Sequence, residues 1–553
     1  MSETGTSAPP PSGTGTGAAR PSGTGTAAAR PSGSRPERGD LLELTVESLA
    51  HGGEGVARLG ESSYVVFVAD AVPGDRVRAV VYKRKRSYAH ARTLEVLDPS
   101  PERIPPQANH PGVAWQVLPY ERQLQVKHDQ VEDALRRIGG LRDFEMEPIV
   151  PALERWRYRN KLEYSFGNGA VTLEQLAEGA ANGQGLIGPG GPAGEGELQC
   201  GFHAPAGWNQ VVPIEDCLLA SELGNRAREI ALRWCREQGL RAWERGSRNT
   251  EPGADGRALL RNLVVREGRR SGPSLQIRLV TTPGALEEIP SLADVLAVEL
   301  GEHLAGVLWT RSTQLAETTA GGETELIWGE PQLRERLGEL DLRISPEAFF
   351  QTNTEMAEVL YGIAAEFAAL EGWERVYDLY CGIGTIALAL APRAGEVWGV
   401  ELVEQAVADA IAAARRNEIG NTRFFAGDTR LALPELVARA GRPDVLVVDP
   451  PRAGLSQKVV RRIVEAGPRR IVYVSCNPTT LAPNAAQLAE AGWTLRKVRP
   501  VDMFPQTHHV ECVALLERQG GAAAAPDASS HADASPAAGS GTSAEGESRA
   551  GDG

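Results

Sequence analysis

The sequence predicts an α/β protein in three folded parts. These are a C-terminal doubly wound domain on a parallel sheet, an α+β central domain, and an N-terminal β-barrel of oligonucleotide-binding type. Three observations carry this. Arg375 to Gly384 reads as a short apolar strand (Val376 to Leu379) running into a glycine turn, Cys381-Gly382-Ile383-Gly384, and then a helix from Thr385 to Ala391. Val445 to Val448 and Ile471 to Ser475 are further apolar runs, each ending in a polar motif that contains proline. Asp40 to Leu97 instead alternates short β-prone runs with turns, the pattern of a small barrel of five strands.

Composition bounds the function. At 553 residues the chain holds more than one domain and ample core. No apolar run reaches the 18 or so residues of a membrane span, and no apolar leader opens the chain, so neither a membrane nor a secretory setting is expected. Six cysteines at irregular spacing do not read as a disulfide framework and fit a reducing cytoplasm. The net charge of −14 argues against an all-over basic surface, but RNA binding needs only a local basic face.

Residues 1 to about 38 are Gly, Ser, Thr, Ala and Pro, which cannot bury enough apolar surface to offset ordering entropy; a disordered tail is expected. Its R-P-S-G segments either touch RNA phosphates weakly or are inert. The stretch 519–553 reads as a second such tail. The barrel spans 39–98. Its Lys83-Arg84-Lys85-Arg86 run, flanked by Tyr82 and Tyr88, is either an ordinary solvated hairpin or a site where cations meet phosphates and rings meet unstacked bases.

The central domain spans 99–340. It opens with a helix from Tyr120 to Ile138, and Arg157, Arg159 and Lys161 then lead into a strand from Leu162 to Phe166, suited to phosphate contact or to plain solvation. A glycine-rich loop insertion is expected over about 177–196, and alternating strands and two helices follow. The last folded part spans 341–518, with Gln351 just before a helix from Thr354 to Leu370.

Chemistry concentrates in that last part. The turn at Gly382 and Gly384 lets backbone approach a ligand. Glu401 ends the strand Glu396 to Val400, roughly 20 residues on, where a carboxylate can accept ribose hydroxyls. The turn is G-x-G with no P-loop lysine, so adenosine without a pyrophosphate fits better than NAD or ATP, and S-adenosyl-L-methionine is the common ligand of that kind. Asp449-Pro450-Pro451-Arg452 ends a parallel strand at the ligand crevice; the prolines aim the Asp, and Arg452 stands where amine-methylating enzymes place an aromatic. Cys476 tops the next strand, as a nucleophile or a small buried residue. Glu511 opens the final apolar strand, either as an exposed strand-start carboxylate or as a buried base with a raised pKa.

Together these groups match one reaction. Carbon 5 of a pyrimidine is a poor nucleophile until a thiolate adds at carbon 6, and a base must later remove the carbon-5 proton. The motifs D-L-Y-C-G-I-G-T, V-D-P-P-R-A-G-L, Y-V-S-C-N-P-T-T-L and F-P-Q-T-H-H-V-E resemble the RNA uracil-5-methyltransferase family, which has a Rossmann-like class I methyltransferase domain. H-G-G-E-G-V-A-R and F-V-x-x-A-V-P-G-D, with the basic hairpin, resemble a TRAM domain, an RNA-binding barrel. The resemblance implies Cys476 as nucleophile and Glu511 as base. It maps cofactor and base-pocket contacts to Gln351, Tyr380, Thr385, Glu401, Asp428 and Asp449, with Thr385 standing where relatives often carry Asn.

RNA cytosine-5-methyltransferases place a Cys in the Asp449-Pro450-Pro451 motif; none is there, which favours uracil. Many relatives hold a [4Fe-4S] cluster through three cysteines before the first helix and a later fourth. Residues 105–115 contain no cysteine, and Cys217 is left as a stranded fourth ligand, so no cluster and no metal are expected. The expected protein is therefore a monomeric cytoplasmic enzyme that flips a uridine out of ribosomal or transfer RNA and methylates it. An RNA-binding or RNA-folding protein on a methyltransferase scaffold is the alternative.

Overall fold

The computed structural model describes residues 35–519 apart from 61–63, 109, 170–195, 205–206, 244–252, 254, 273 and 317. The tails expected over 1–38 and 519–553 and the loop insertion expected over about 177–196 lie outside the described residues, apart from 35–38, 519 and 196.

The barrel has six strands rather than five: β1 (Leu41–Thr45), β2 (Ser48–Leu49), β3 (Gly55–Arg58), β4 (Val65–Ala69), β5 (Arg76–Arg84) and β6 (Tyr88–Asp98), in the order β1-β5-β6-β4-β3-β2. The sixth arises because the first run bends at Val46. The Val46 N–H donates to Asp75 O on the β5 side, and the Glu47 N–H donates to Val56 O in β3, so one run pairs with both ends of the sheet and closes it. Alternate residues Leu44, Val66, Val68, Val77, Ala79, Val81, Ala89 and Ala91 fill the interior.

The helix Tyr120–Asp133 follows, continues as one looser turn to Ile138, and leads to a two-residue strand, β7 (Glu145–Met146). Seven strands then form the central sheet. They are β8 (Lys161–Asn168), β9 (Leu198–Ala204), β10 (Gly207–Pro213), β11 (Leu260–Gly268), β12 (Ser274–Thr281), β13 (Leu304–Arg311) and β14 (Glu323–Gly329), in the order β10-β9-β8-β11-β12-β13-β14. The helices Glu222–Glu237 and Ile289–Leu300 share the core of this sheet and meet where Trp234 Nε1 donates to Ser291 Oγ at 3.0 Å. Ser221 caps the first of them by accepting from the Gly224 N–H.

A hairpin of β15 (Leu333–Leu337) and β16 (Leu340–Ile344) leads to the helix Thr354–Ala368, capped by Asn353. The last sheet contains β17 (Arg375–Leu379), β18 (Glu396–Glu401), β19 (Thr422–Ala426), β20 (Val445–Val448), β21 (Arg470–Ser475), β22 (Trp493–Val501) and β23 (Glu511–Arg518). Its order is β19-β18-β17-β20-β21-β23-β22-β7. β17 to β21 run parallel, and β23 inserts antiparallel between β21 and β22. All four residues of β20 are fully buried, as a parallel strand covered on both faces requires. The strand order reverses between β17 and β20, which opens a ligand crevice at the carboxyl ends of the strands. The fold is thus a Rossmann-like class I methyltransferase domain carrying an α+β central domain and an N-terminal oligonucleotide-binding-type barrel. No helix of the described residues is long and apolar enough to cross a membrane.

Candidate active site

Sheet register assembles the site. Leu379 pairs with Val448, so Tyr380 and Asp449 leave the sheet side by side. Val448 pairs with Tyr473, which sets the end of β21 at the same edge. β23 enters antiparallel with Cys512 opposite Ser475, so the next pair in that register is Cys476 and Glu511. A thiol and a carboxyl far apart in sequence are thereby neighbours across one strand pair.

Their electrostatics are those of a dry site holding several acids. Burial, reinforced by the Asp449 charge, pushes the Glu511 carboxyl well above the usual range, and Arg452 opposes the shift. Burial also lifts Asp449 to about 7. The half-buried Cys476 thiol is pushed up to about 11 by burial and by the charges of Glu511 and Asp449, again opposed by Arg452. The resting thiol is therefore protonated at neutral pH and needs an adjacent base to react.

The glycine turn is shaped for a close ligand. Gly382 has φ +54°, and a Cβ built there would meet nothing within 4 Å. Gly384, at φ +80°, packs so closely that a Cβ would lie 2.9 Å from the Phe424 ring. Tyr380 also takes a left-handed conformation, φ +64°, which is strained for a non-glycine residue. Glu401 ties the second strand to the turn: its carboxylate accepts from the Gly382 N–H at 3.1 Å and from the Leu402 and Val403 N–H groups. Beneath the turn, Asp378 is fully buried; one oxygen accepts from the Ala387 N–H and the other has no partner. An open turn, a carboxylate at the strand tip and an unpartnered buried carboxyl fit the adenosine and amino-acid ends of S-adenosylmethionine.

The other expected contacts are placed as follows. Gln351 is buried beside the crevice, its carbonyl held by Asn160 Nδ2 at 2.9 Å. The Thr385 hydroxyl donates to Tyr361 OH at 3.3 Å. Asp428 caps the helix Thr429–Ala440, accepting from the Arg430 N–H, and pairs with the Arg430 side chain at 3.0 Å. Lys83, Arg84, Lys85 and Arg86 are exposed and form no ion pair among the described residues. Their hairpin is pinned by Tyr64 OH, which donates to Lys85 O and Tyr88 O. Tyr82 and Tyr88 pack against His90, and Tyr88 also packs against Phe67. Arg157 is engaged in a bidentate pair with Asp216, at 3.0 and 2.8 Å. Lys161 pairs with Glu163 at 2.6 Å, and Arg159 lies 5.7 Å from the Phe504 ring centre.

The sequence reading missed several groups at this edge. Tyr361, from the helix Thr354–Ala368, is buried among Asp449, Asp378 and Glu511, and its hydroxyl pKa is raised by burial and then by Asp449. An inward aromatic on a helix carries no sequence signal that separates it from core. Asp378 did carry one, a carboxylate inside an apolar strand just before the turn. Arg452 donates to His509 Nδ1 at 3.0 Å, and burial holds His509 down to about 3 and His508 to about 4, so both imidazoles are neutral near pH 7. The barrel reaches this edge as well: Gly53 approaches so closely that a Cβ would lie 2.7 Å from His508 Cβ.

Cys217 lies 3.3 Å from His110 Nε2, sulfur to nitrogen, in a buried contact. Among the described residues, no group of three or more His, Cys, Asp or Glu is arranged to hold a metal ion.

Comparison with known proteins agrees with this architecture. Residues 330–519 match the family model described as tRNA (Uracil-5-)-methyltransferase, and residues 35–94 match the TRAM domain. An uncharacterized RNA methyltransferase of Chlorobaculum tepidum is 35% identical over 490 residues, covering 88% of this chain and 98% of its own. One from Halalkalibacterium halodurans is 34% identical over 486 residues, covering 87% and 97%. Among solved structures, the Pyrococcus abyssi tRNA (uracil-54, C5)-methyltransferase in complex with S-adenosyl-L-homocysteine superposes with a TM-score of 0.61 at 25% identity, covering 86% of this chain and all of that one. The sheet order, the glycine turn and the relatives agree: the chain belongs to the RNA (uracil-5-)-methyltransferase family.

Proposed function

We propose that this protein methylates carbon 5 of a specific uridine in structured RNA, ribosomal or transfer, through a covalent adduct with Cys476. The observation that carries this reading is that Cys476 and Glu511 lie one step beyond the Ser475–Cys512 pair of β21 and β23, close enough for the Glu511 charge to act on the thiol, at the edge where the glycine turn of β17 opens. Gly382, Gly384 and Glu401 frame the site for S-adenosyl-L-methionine, with Tyr380, Gln351, Thr385, Asp428 and Asp449 around it. When bound there, that cofactor supplies an electrophilic methyl group.

The residues divide the work. A flipped uridine enters the crevice. The Cys476 thiol passes its proton to the neighbouring Asp449 carboxylate, whose pKa of about 7 lets it accept at neutral pH; the sulfur then adds to carbon 6, and Arg452 favours the thiolate. The ring then carries negative charge delocalised onto carbon 5 and the carbonyl oxygen, which makes carbon 5 nucleophilic. Once carbon 5 is methylated, Glu511 accepts its proton, the carbon 6–sulfur bond breaks, and the aromatic ring is restored. A carboxyl whose pKa is raised by burial suits that proton transfer. The proposed setting is a reducing cytoplasm, which matches six free cysteines, with the protein acting as a monomer.

The test is transfer of labelled methyl groups to total RNA. Cys476→Ala should abolish transfer while cofactor binding persists; full activity in that variant ends the covalent mechanism. Mapping 5-methyluridine in RNA from cells lacking the protein identifies the target.

A further inference from the structure

Beside the catalytic centre lies a cleft of about 280 Å³ that the methyl-transfer chemistry does not use. Its walls include Arg159, Lys161, Arg266, Phe202 and Phe349, and Thr352 closes one side. The size is near the lower end of ligand pockets, roughly 300 Å³. That is room for one unstacked nucleotide rather than for a helix.

Three features of the cleft point to a ligand. First, its charge is unbalanced. Glu163 is its one carboxylate, and Lys161 engages it at 2.6 Å. Arg266 is buried and donates both terminal nitrogens to backbone carbonyls, Ser345 O at 3.0 Å and Ala348 O at 2.8 Å, with no carboxylate in ion-pair contact among the described residues. The carboxylate that acts on it, Glu163, is already engaged by Lys161, so the buried cation is only partly offset, and a phosphate would offset it further. Second, Arg159 Nε is buried with no hydrogen-bond partner. Third, Phe349 is 68% exposed although its neighbour Phe350 is buried. A rigid ring at the rim of a cationic cleft offers a π-face on which a base can stack.

The cleft shares its walls with the active site. The segment presenting Phe349 continues into Gln351, and Asn160 holds it twice, by its backbone N–H to Thr352 O at 2.8 Å and by Nδ2 to Gln351 O. On the other side Arg159 faces Phe504, whose ring packs edge-on against His509.

We infer that this cleft is a subsite for a second unstacked nucleotide of the RNA substrate, next to the target uridine, with its base on Phe349 and its phosphate on Arg159 and Arg266. The inference rests on the proposed RNA methylation and names how the strand beside the target is held. It also separates the roles of neighbouring cations: Arg159 faces the cleft with no ion pair among the described residues, whereas Arg157 is engaged by Asp216 and Lys161 by Glu163.

The experiment uses the full chain and a fluorescent single-stranded oligouridylate, with inorganic polyphosphate as a base-free competitor. Phe349→Ala should raise Kd for the oligouridylate about 5- to 100-fold, the range for loss of one stacked base, and leave polyphosphate affinity within about twofold. Arg159→Ala should weaken both ligands and flatten the salt dependence of oligouridylate binding by about 0.7 in log–log slope. Melting temperatures check that both variants fold. Unchanged oligouridylate binding in both variants, or equal loss of polyphosphate binding in Phe349→Ala, overturns the subsite. Methyl transfer to total RNA by the unaltered protein is scored separately. Active enzyme with unchanged variant binding removes the subsite alone; inactive enzyme with the expected binding losses removes the methylation reading and keeps an RNA contact.

Discussion

The Lys127 ammonium lies 2.5 Å from the Asp502 carboxylate, and neither side chain reaches solvent. Lys127 also donates to Phe504 O, and Tyr120 OH donates to the other Asp502 oxygen at 2.8 Å. One turn away, Gln123 and Gln506 exchange hydrogen bonds, which fixes Gln506 at φ +67°. The helix Tyr120–Asp133 thus clamps the segment that delivers His509 and Glu511 to the candidate active site.

Breaking this clamp on one side should be costly. Lys127→Met leaves Asp502 buried without its cation, a loss of about 3–5 kcal/mol. Lys127→Met with Asp502→Asn removes both charges and should lose less. Thermal melts of the single and double variants decide; a double variant less stable than the single one contradicts the account.

Glu511→Gln should retain the addition of Cys476 to RNA but not the release. Protein covalently linked to RNA should accumulate on denaturing gels, with turnover reduced roughly 10²–10⁴-fold. Freely released methylated product would remove Glu511 from the role of base.

Arg452 counters the carboxylates around Cys476. In Arg452→Ala the thiol should become harder still to ionise. Adduct formation should then slow about tenfold for each tenfold fall in the thiolate fraction, and the alkaline rise of kcat/KM should move to higher pH. Arg452→Lys should restore part of the lost rate. A pH profile identical to the parent in Arg452→Ala refutes the electrostatic role.

Asp449 has a folded pKa of about 7, raised by burial from an ordinary value of 3.8. For an acid raised in the folded state, its contribution to stability is fully present below the unfolded pKa and is lost as pH rises through the folded one. Asp449→Asn should therefore be more stable than the parent above about pH 7, by up to about 4 kcal/mol, with the gain vanishing near pH 4. Equal gains at both pH values would show that charge burial is not the cause.

The basic hairpin gives a salt test. Replacing Lys83, Arg84, Lys85 and Arg86 together with Ala should weaken RNA binding, and the salt slope should flatten by up to about 2.8, near 0.7 per released counterion. An unchanged slope would show that the hairpin does not meet phosphate.

The sequence by itself determined the parallel core and its motifs. β17, β20 and β21 are short apolar runs ending in D-L-Y-C-G, D-P-P-R and S-C-N-P, and local patterning suffices to read them because each strand is buried on both faces. The glycine turn and Glu401 were legible for the same reason: their spacing is local. Tertiary structure decided what depends on register and distant contact. It set Glu511 opposite Cys476 by the antiparallel entry of β23, joined β7 to the edge of the last sheet, and bent the first barrel run into two strands. It also sorted cations of equal formal charge, engaging Arg157 with Asp216 while leaving Arg159 at a cleft. The physical reason is range. Propensity and periodicity act over a few residues, whereas desolvation and ion pairing depend on which distant side chains the packed sheet brings within a few ångströms.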